Sequence, residues 1–280
     1  MNWNINLPLR PKNIKEMLGQ SIFAQNLIYY ESTASTNTLA KKLAEEGAPE
    51  GTLVLTEYQT AGKGRKGRRW LSQRYLNLLF SILLMPSLPP NQMFVLTMIL
   101  ALAAMDGIKE SSGLQTWIKW PNDLYVGHKK LGGILTEISI KGKKVDYVVL
   151  GLGLNVNWNP GKEQDLLYPS TSILAETGIV SPREHLLIGI VKLFEEYYLD
   201  ILRGEIEDYH RRWNQYSMII GRSVEIISDQ ETVRGIVLLI DREGALIIRD
   251  EEGKEQKVFS GDLSVVLEGK DEGAGYGQAS

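Results

Sequence analysis

Thr116-Trp117-Ile118-Lys119-Trp120-Pro121-Asn122-Asp123-Leu124-Tyr125-Val126-Gly127-His128-Lys129-Lys130-Leu131-Gly132-Gly133-Ile134 is the stretch on which the fold turns. Thr116–Trp120 has the alternation of a strand. Pro121-Asn122-Asp123 stops it, since proline lacks a ladder donor while Asn and Asp bond their own backbone in turns. Leu124–Val126 and Ile134–Ile140 read as further strands around the turn region Gly127-His128-Lys129-Lys130. Val145–Leu150 continues the sheet into Gly151-Leu152-Gly153. If the strands fold back on each other, Asp123 and Lys130 face each other across a hairpin, and Lys130 becomes a compact charge suited to a carboxylate or phosphate.

Working outward, Leu27–Tyr30 is a short strand. Ser35, Thr36 and Asn37 precede Leu39, Ala40, Leu43 and Ala44, which recur at helical spacing until Gly47, where a left-handed residue is expected. Thr52–Tyr58 and Leu76–Met85 are strands. Between them Thr60–Gln73 is basic and glycine-rich, a loop of functional length that should be mobile without ligand. Asn91–Lys109 is apolar on nearly all sides, hence a buried helix. Ser181-Pro182-Arg183-Glu184 predicts an N-cap, a first-turn proline and a capping-box glutamate, with Leu186–Leu202 as the apolar face. Beyond Gly221, short strands at Val224–Ile227, Val233–Ile240, Ala245–Ile248, Val258–Phe259 and Leu263–Leu267 suffice for a small barrel. The expected class is therefore α+β: a mixed β-sheet with packed helices over 27–218 and a small β-barrel over 219–268. An N-terminal extension covers 1–26, and a polar, glycine-rich tail at 269–280 is expected to be disordered.

Composition sets bounds. The chain has 280 residues, 43% hydrophobic and 23% charged, as in a soluble globular protein with a core of useful size. It holds no cysteine, which removes disulfides, thiolate metal sites and cysteine nucleophiles, and fits a reducing compartment. Met1–Gln20 lacks the apolar run of a signal peptide. Met93–Met105 is shorter than the roughly 20 residues needed to span a bilayer. The cytoplasm is the expected address. A net charge of −3 gives no global attraction to nucleic acid.

Three segments can carry chemistry. Gly62-Lys63-Gly64-Arg65-Lys66-Gly67-Arg68-Arg69-Trp70 combines cations, glycines that admit close backbone approach, and a stacking face. It fits an anion cradle, a solvated charge run, or a nucleic-acid patch in which Trp70 stacks a base. It is no Walker A loop, because no Ser or Thr follows Lys63. The second segment is Lys119-Trp120-Pro121-Asn122-Asp123 with Lys130 seven residues on, against the plainer reading of a surface turn and a solvated lysine. The third, Gly151-Leu152-Gly153-Leu154-Asn155, reads as a glycine-rich strand end along which a ligand can lie. It lacks the dinucleotide fingerprint. His128, His185 and His210 show no metal-ligand spacing, and no Gly-x-Ser-x-Gly elbow occurs.

Together and in this order, Ser35-Thr36-Asn37, the basic loop, Lys119–Asp123, Lys130–Ile134 and Gly151–Asn155 resemble biotin–protein ligases, over roughly residues 27–267. The loop matches the family's Gly-Arg-Gly-Arg-x-Gly-Arg except that Lys63 replaces the first arginine, which keeps the charge and loses the bidentate fork. The resemblance implies a class II synthetase-like catalytic fold with an SH3-like C-terminal barrel. It also implies a two-step reaction: biotin and Mg²⁺-bound ATP give biotinyl-adenylate, and a lysine of a biotin carboxyl carrier protein then takes the acyl group. Mg²⁺ enters with ATP, and no tightly bound metal is implied.

By the same resemblance Lys130 and Arg65 are the catalytic residues. Ser35, Thr36, Asn37 and Gln59 serve the ring end of biotin. Gly62, Lys63, Gly64 and Arg65 lie along its carboxylate, with Gly133 and Gly151 lining it through backbone. Arg65, Arg68, Trp70, Asn122 and Asn155 serve ATP, with Asp123 near Mg²⁺. Some family members carry an N-terminal DNA-binding domain, for which 26 residues are too few, so the monofunctional type is expected. Neither nucleic acid nor membrane is an expected partner, and a homodimer stays open. A lipoate–protein ligase on the same fold and a nucleic-acid-binding regulator using Lys63–Arg69 are the alternatives.

Overall fold

The computed structural model describes residues 7–160, 169–227, 232–259 and 261–265. The chain divides into two compact units, Met1–Ser217 and Met218–Ser280. In the first, helices α1 (Pro11–Leu18) and α2 (Ile22–Gln25) lead into β1 (Leu27–Tyr30). Then come α3 (Thr36–Glu45), β2 (Leu53–Thr56), β3 (Asn77–Leu84), α4 (Phe94–Ser112), β4 (Trp117–Lys119), β5 (Asp123–Val126), β6 (Lys129–Lys141) and β7 (Lys144–Asn155). Helices α5 (Ile173–Thr177), α6 (Arg183–Leu202) and α7 (Glu207–Gln215) complete it. The strands form one seven-stranded sheet in the order β1-β2-β3-β7-β6-β5-β4. Only β1 and β2 pair in parallel, so the sheet is mixed, as expected.

Every residue of β3 is buried, the mark of a central strand covered on both faces. Helix α3 packs on β2, β3 and β7, while α4 packs on β5, β6 and α6. Ala40, Val54, Leu83, Tyr147 and Val149 form a buried cluster under α3. Leu83→Ala is expected to cost about 2–5 kcal/mol there, through lost transfer energy and a cavity. The start of α3 follows from Ser35, whose Oγ accepts from Thr38 N at 3.5 Å. Just beyond its end Gly47 sits at φ +88°, a conformation that only glycine adopts cheaply. Helix α4 is buried along nearly all its length, which explains its all-round apolar sequence. Among the described residues it belongs to the one helical segment, Pro90–Ser112, long and apolar enough to cross a membrane, and that segment lies largely inside the fold.

Three of these expectations meet the structure as follows. Gly151–Asn155 is the C-terminal end of β7, which stops at Asn155, and it is paired on both sides, with β3 and β6. The capping box at α6 does not form. The helix begins at Arg183 after Pro182, and Glu184 turns away to bond Arg10, accepting from its backbone N at 2.6 Å and from the guanidinium at 2.9 and 3.0 Å. In the N-terminal extension before β1, Leu9, Ile14, Leu18, Phe23 and Ala24 are all buried.

The second unit is a five-stranded antiparallel sheet of β8 (Ser223–Ile227), β9 (Thr232–Ile240), β10 (Leu246–Arg249), β11 (Glu255–Val258) and β12 (Asp262–Val265). Its order is β11-β10-β9-β8-β12, the small β unit expected from the short strands. The expected disorder of 269–280 lies outside the described residues.

Candidate active site

The register lays the site out on one sheet face. Leu79, Gly153, Gly133, Asp123 and Lys119 are successive partners across β3, β7, β6, β5 and β4. One pleat along β7, Gly151 lies between Ser81 and Leu135 on the same face. The absence of side chains at 133, 151 and 153 makes a backbone floor. A Cβ at Gly151 would stand 2.0 Å from Asn37 Oδ1, one at Gly153 2.6 Å from the Trp70 ring, and one at Gly133 3.0 Å from Asp123 Oδ1. Three groups thus crowd the floor at its three glycines.

At the Gly133 end Lys130 Nζ lies 2.7 Å from Asp123 Oδ1, with the side chains 22% and 23% exposed. The pair is withdrawn enough from water to act more strongly than a surface ion pair. Lys130 is not directly opposite Asp123; it pairs with Tyr125, because the β5–β6 register shifts between Leu124 and Tyr125. Its backbone is gripped by the Pro169–Thr171 segment: Lys130 N donates to Pro169 O and Thr171 N donates to Lys130 O, each at 2.9 Å. Lys119, opposite Asp123, holds its Nζ 5.5 Å from the Tyr125 ring centroid. Burial pushes its pKa below the usual lysine range; the charges of Lys130 and Arg68 add to this and Asp123 opposes it.

Over the middle of the floor stands the basic loop, folded back on itself as a small hairpin. Trp70 N donates to Gly62 O at 2.9 Å, Gly64 N donates to Arg68 O at 2.7 Å, and Lys63 bridges Arg69. Its tip is a single tight turn, Arg65–Gly67, with Lys66 at φ 53°. Arg65 Nη1 reaches Asn122 Oδ1 at 3.5 Å, and Asn122 is fixed by two bonds to Ile134. The Trp70 ring is packed against Gly153, with Lys130 Nζ 5.7 Å from its centroid. Its Nε1 is buried without a partner, an unsatisfied donor beside the floor. Arg69 Nη2 lies 3.5 Å from Thr60 O, and Lys66 is exposed.

At the Gly151 end is a polar cluster. Gln59 Oε1 accepts from Thr36 N at 2.8 Å and Thr36 Oγ1 at 3.2 Å. Ser81 Oγ donates to Asn37 Oδ1 at 2.6 Å and lies 2.8 Å from Thr36 Oγ1. Asn37 Nδ2 donates to Leu135 O at 3.0 Å and to Glu137 Oε2 at 2.9 Å, while Lys41 Nζ holds Glu137 Oε1 at 3.0 Å. Burial alone would raise the Glu137 pKa; the bonds from Asn37 and Lys41, with the charges of Lys41 and Lys63, hold it below the usual carboxylate value.

The structure therefore brings together Thr36, Asn37, Gln59 and Gly151 as one cluster, and Arg65, Trp70, Asn122, Asp123, Lys130 and Gly133 as another. Gly62 links them, since a Cβ there would meet Gln59 Nε2 at 3.2 Å and Trp70 O at 2.6 Å. Two residues stand apart from the floor's open side. Ser35 spends its hydroxyl on capping α3. Asn155 spends both ends of its amide internally, accepting from Asn77 Nδ2 and donating to Thr171 O, each at 2.9 Å. Ser81, Glu137 and Lys119 were missed as single residues. Ser81 carried a signal, a lone hydroxyl in the apolar run Asn77–Leu84. Glu137 carried a weak one, a carboxylate inside a strand.

Comparison with known proteins places this geometry. A profile described as "Biotin/lipoate A/B protein ligase family" matches residues 29–155, and one described as "Biotin protein ligase C terminal domain" matches 219–266. The bifunctional ligase/repressor BirA of Bacillus subtilis is 36% identical over 92% of this chain and 79% of its own length. The biotin–[acetyl-CoA-carboxylase] ligase of Mycobacterium tuberculosis is 29% identical over 91% of this chain and 95% of its own. The structure of a biotin protein ligase from Aquifex aeolicus in complex with biotin and ATP superposes with a TM-score of 0.73 at 27% identity, covering 86% of this chain and 100% of that one. The chain belongs to the biotin/lipoate protein ligase family, as one of its biotin–protein ligases.

Proposed function

We propose that this chain activates biotin with ATP and transfers it to a lysine of a carboxylase's biotin carrier domain. In the first step an oxygen of the biotin carboxylate attacks the α-phosphorus of ATP. The bond to the bridging oxygen of the β-phosphate breaks, and pyrophosphate leaves. In the second the carrier lysine's amine attacks the acyl carbon, the bond to the phosphate oxygen breaks, AMP leaves and the nitrogen loses a proton. Both steps gather negative charge on phosphate oxygens, so fixed cations are the groups that help.

The observation that carries the proposal is the glycine floor with a polar cluster at one end and Lys130 at the other. Thr36, Asn37, Gln59 and Ser81 suit a neutral ring rich in hydrogen-bonding groups. Backbone at Gly151, Gly153 and Gly133 lets an extended acyl chain lie flat. Lys130 meets the carboxylate and α-phosphate where they join. Arg65, held beside Asn122, closes over the phosphate, Lys63 and Gly64 flank the carboxylate, and Arg68 serves the triphosphate. Trp70 offers the adenosine a face, and Ser35 and Asn155 act from behind by holding the elements in place. Mg²⁺ arrives on the triphosphate, and Asp123, paired with Lys130, is the carboxylate we assign beside it. Incubation with Mg²⁺, ATP and either biotin or lipoate, followed by mass analysis of the adenylate, tests this. Biotinyl-adenylate alone is expected, and lipoyl-adenylate alone would overturn the choice of acid.

A further inference from the structure

Glu57 and Arg183 form an ion pair at 2.7 Å with side chains 0% and 4% exposed, and neither has a part in the chemistry above. Burying two charges is costly unless every polar atom is engaged, and here the engagements lead to the active site. Arg183 Nη1 also donates to Asn77 O at 2.9 Å, and Nη2 donates to Leu7 O at 2.7 Å. Glu57 Oε1 accepts from Leu9 N and, at 3.3 Å, from the Tyr29 hydroxyl. Glu57 stands two residues before Gln59, at the entry to the basic loop. Asn77 stands at its exit, where Oδ1 accepts from Gln73 N at 2.7 Å. The far side of the same amide donates to Asn155, whose Nδ2 donates to Thr171 O, and Thr171 N donates to Lys130 O.

We infer that the Glu57–Arg183 pair is a positioning device. It clamps both stems of the Thr60–Gln73 loop to the N-terminal Leu7–Leu9 segment and, through Asn77, Asn155 and Thr171, sets the backbone of Lys130. An arginine is needed because its planar fork spans three oxygens at once, which an ammonium on a flexible stem cannot do. The inference rests on the proposed function for Lys130. Its consequence is that a disturbance of the N-terminal segment is felt at the loop and at Lys130.

The test uses two variants of the full chain. Arg183→Lys keeps the charge and loses the fork. Asn77→Ser leaves the ion pair intact and cuts the relay behind it. Circular dichroism first establishes a temperature at which each is folded; should Arg183→Lys fail to fold, Asn77→Ser decides. Two readouts follow: the single-turnover rate of biotinyl-adenylate formation, and the rate of tryptic cleavage within the loop in the absence of substrate. Both folded variants are expected to form adenylate about 10- to 100-fold more slowly, the scale of a small misplacement of a reacting group, and to be cut faster in the loop. A merely structural role would lower the melting temperature and leave both rates unchanged in the folded protein, which overturns the inference. If the wild type makes no biotinyl-adenylate, the proposed function fails instead, and loop cleavage still decides whether the clamp exists.

Discussion

Lys130 and Asp123 share a face of the sheet because the ladder between β5 and β6 skips one residue. Asp123 pairs with Gly133 and Leu124 with Gly132, but Tyr125 pairs with Lys130 instead of Leu131. In a regular ladder Lys130 would fall opposite Val126 and point to the other face, since a one-residue slip turns a side chain over. The irregularity thus delivers the ammonium to the glycine floor, where its 2.7 Å contact with Asp123 aims it.

Replacing that ammonium tests its role. Lys130→Ala is expected to fold as the wild type does and to form adenylate about 10²–10³ times more slowly, the loss expected for one preorganised charge contact. Quenched single-turnover mixing with excess enzyme measures it, and a rate near wild type would remove Lys130 from the chemistry.

The floor itself is tested by a single methyl group. A Cβ at Gly151 would lie 2.0 Å from Asn37 Oδ1, within the buried cluster at the ring end. Gly151→Ala is expected to cost about 1–3 kcal/mol in denaturant unfolding, as overpacking does, and to raise the KM for biotin more than it lowers kcat. An unchanged KM for biotin would move the ring away from Asn37.

Glu137 gives a pH signature. Its pKa in the folded chain is held below the usual carboxylate value, so the folded state favours the ionised form. That stability is fully present above the unfolded pKa and is lost as pH falls through the lower folded value. Glu137→Gln is therefore expected to be less stable than wild type at neutral pH, with the gap closing in the acid range at and below the ordinary carboxylate pKa. Urea midpoints of the two proteins across that range measure it, and a gap independent of pH would contradict the Asn37–Glu137–Lys41 account.

Arg65 tests retention of the intermediate. Closure of the loop would shield a reactive anhydride from water until a carrier lysine arrives. Arg65→Gly is expected to make adenylate yet release it early, so that lysines of an added bystander protein become biotinylated. Equal bystander labelling by wild type and variant, with synthesis confirmed in both, would mean that Arg65 does not hold the adenylate.

The sheet was legible in the sequence wherever one local force acted alone. Leu27–Tyr30 is a short apolar run ahead of Ser35-Thr36-Asn37 and forms β1, and the all-round apolar helix expected over Asn91–Lys109 forms at Phe94–Ser112. The basic loop and Lys130 were legible because unusual residue types cluster there. What could not be read was set by partners far along the chain. The glycines at 151 and 153 read as a strand end, and β7 does stop at Asn155, but its pairing with β3 and β6 on both sides has no local signal. Glu184 fits a capping box until Arg10, 174 residues away, claims it. Lys130 was expected across a simple hairpin, and its face depends on a register shift that no propensity encodes. Ser35 and Asn155 illustrate the same limit, since a motif names a residue without saying whether its polar atoms face the ligand or the frame behind it.

Exchange of labelled pyrophosphate into ATP tests the central claim most directly, because it reports formation of an acyl-adenylate and its reversal without any carrier protein. The predicted result is exchange that requires biotin, is not supported by lipoate, and falls about 10²–10³-fold in Lys130→Ala. Exchange that proceeds without biotin, or that survives intact in Lys130→Ala, would contradict the account.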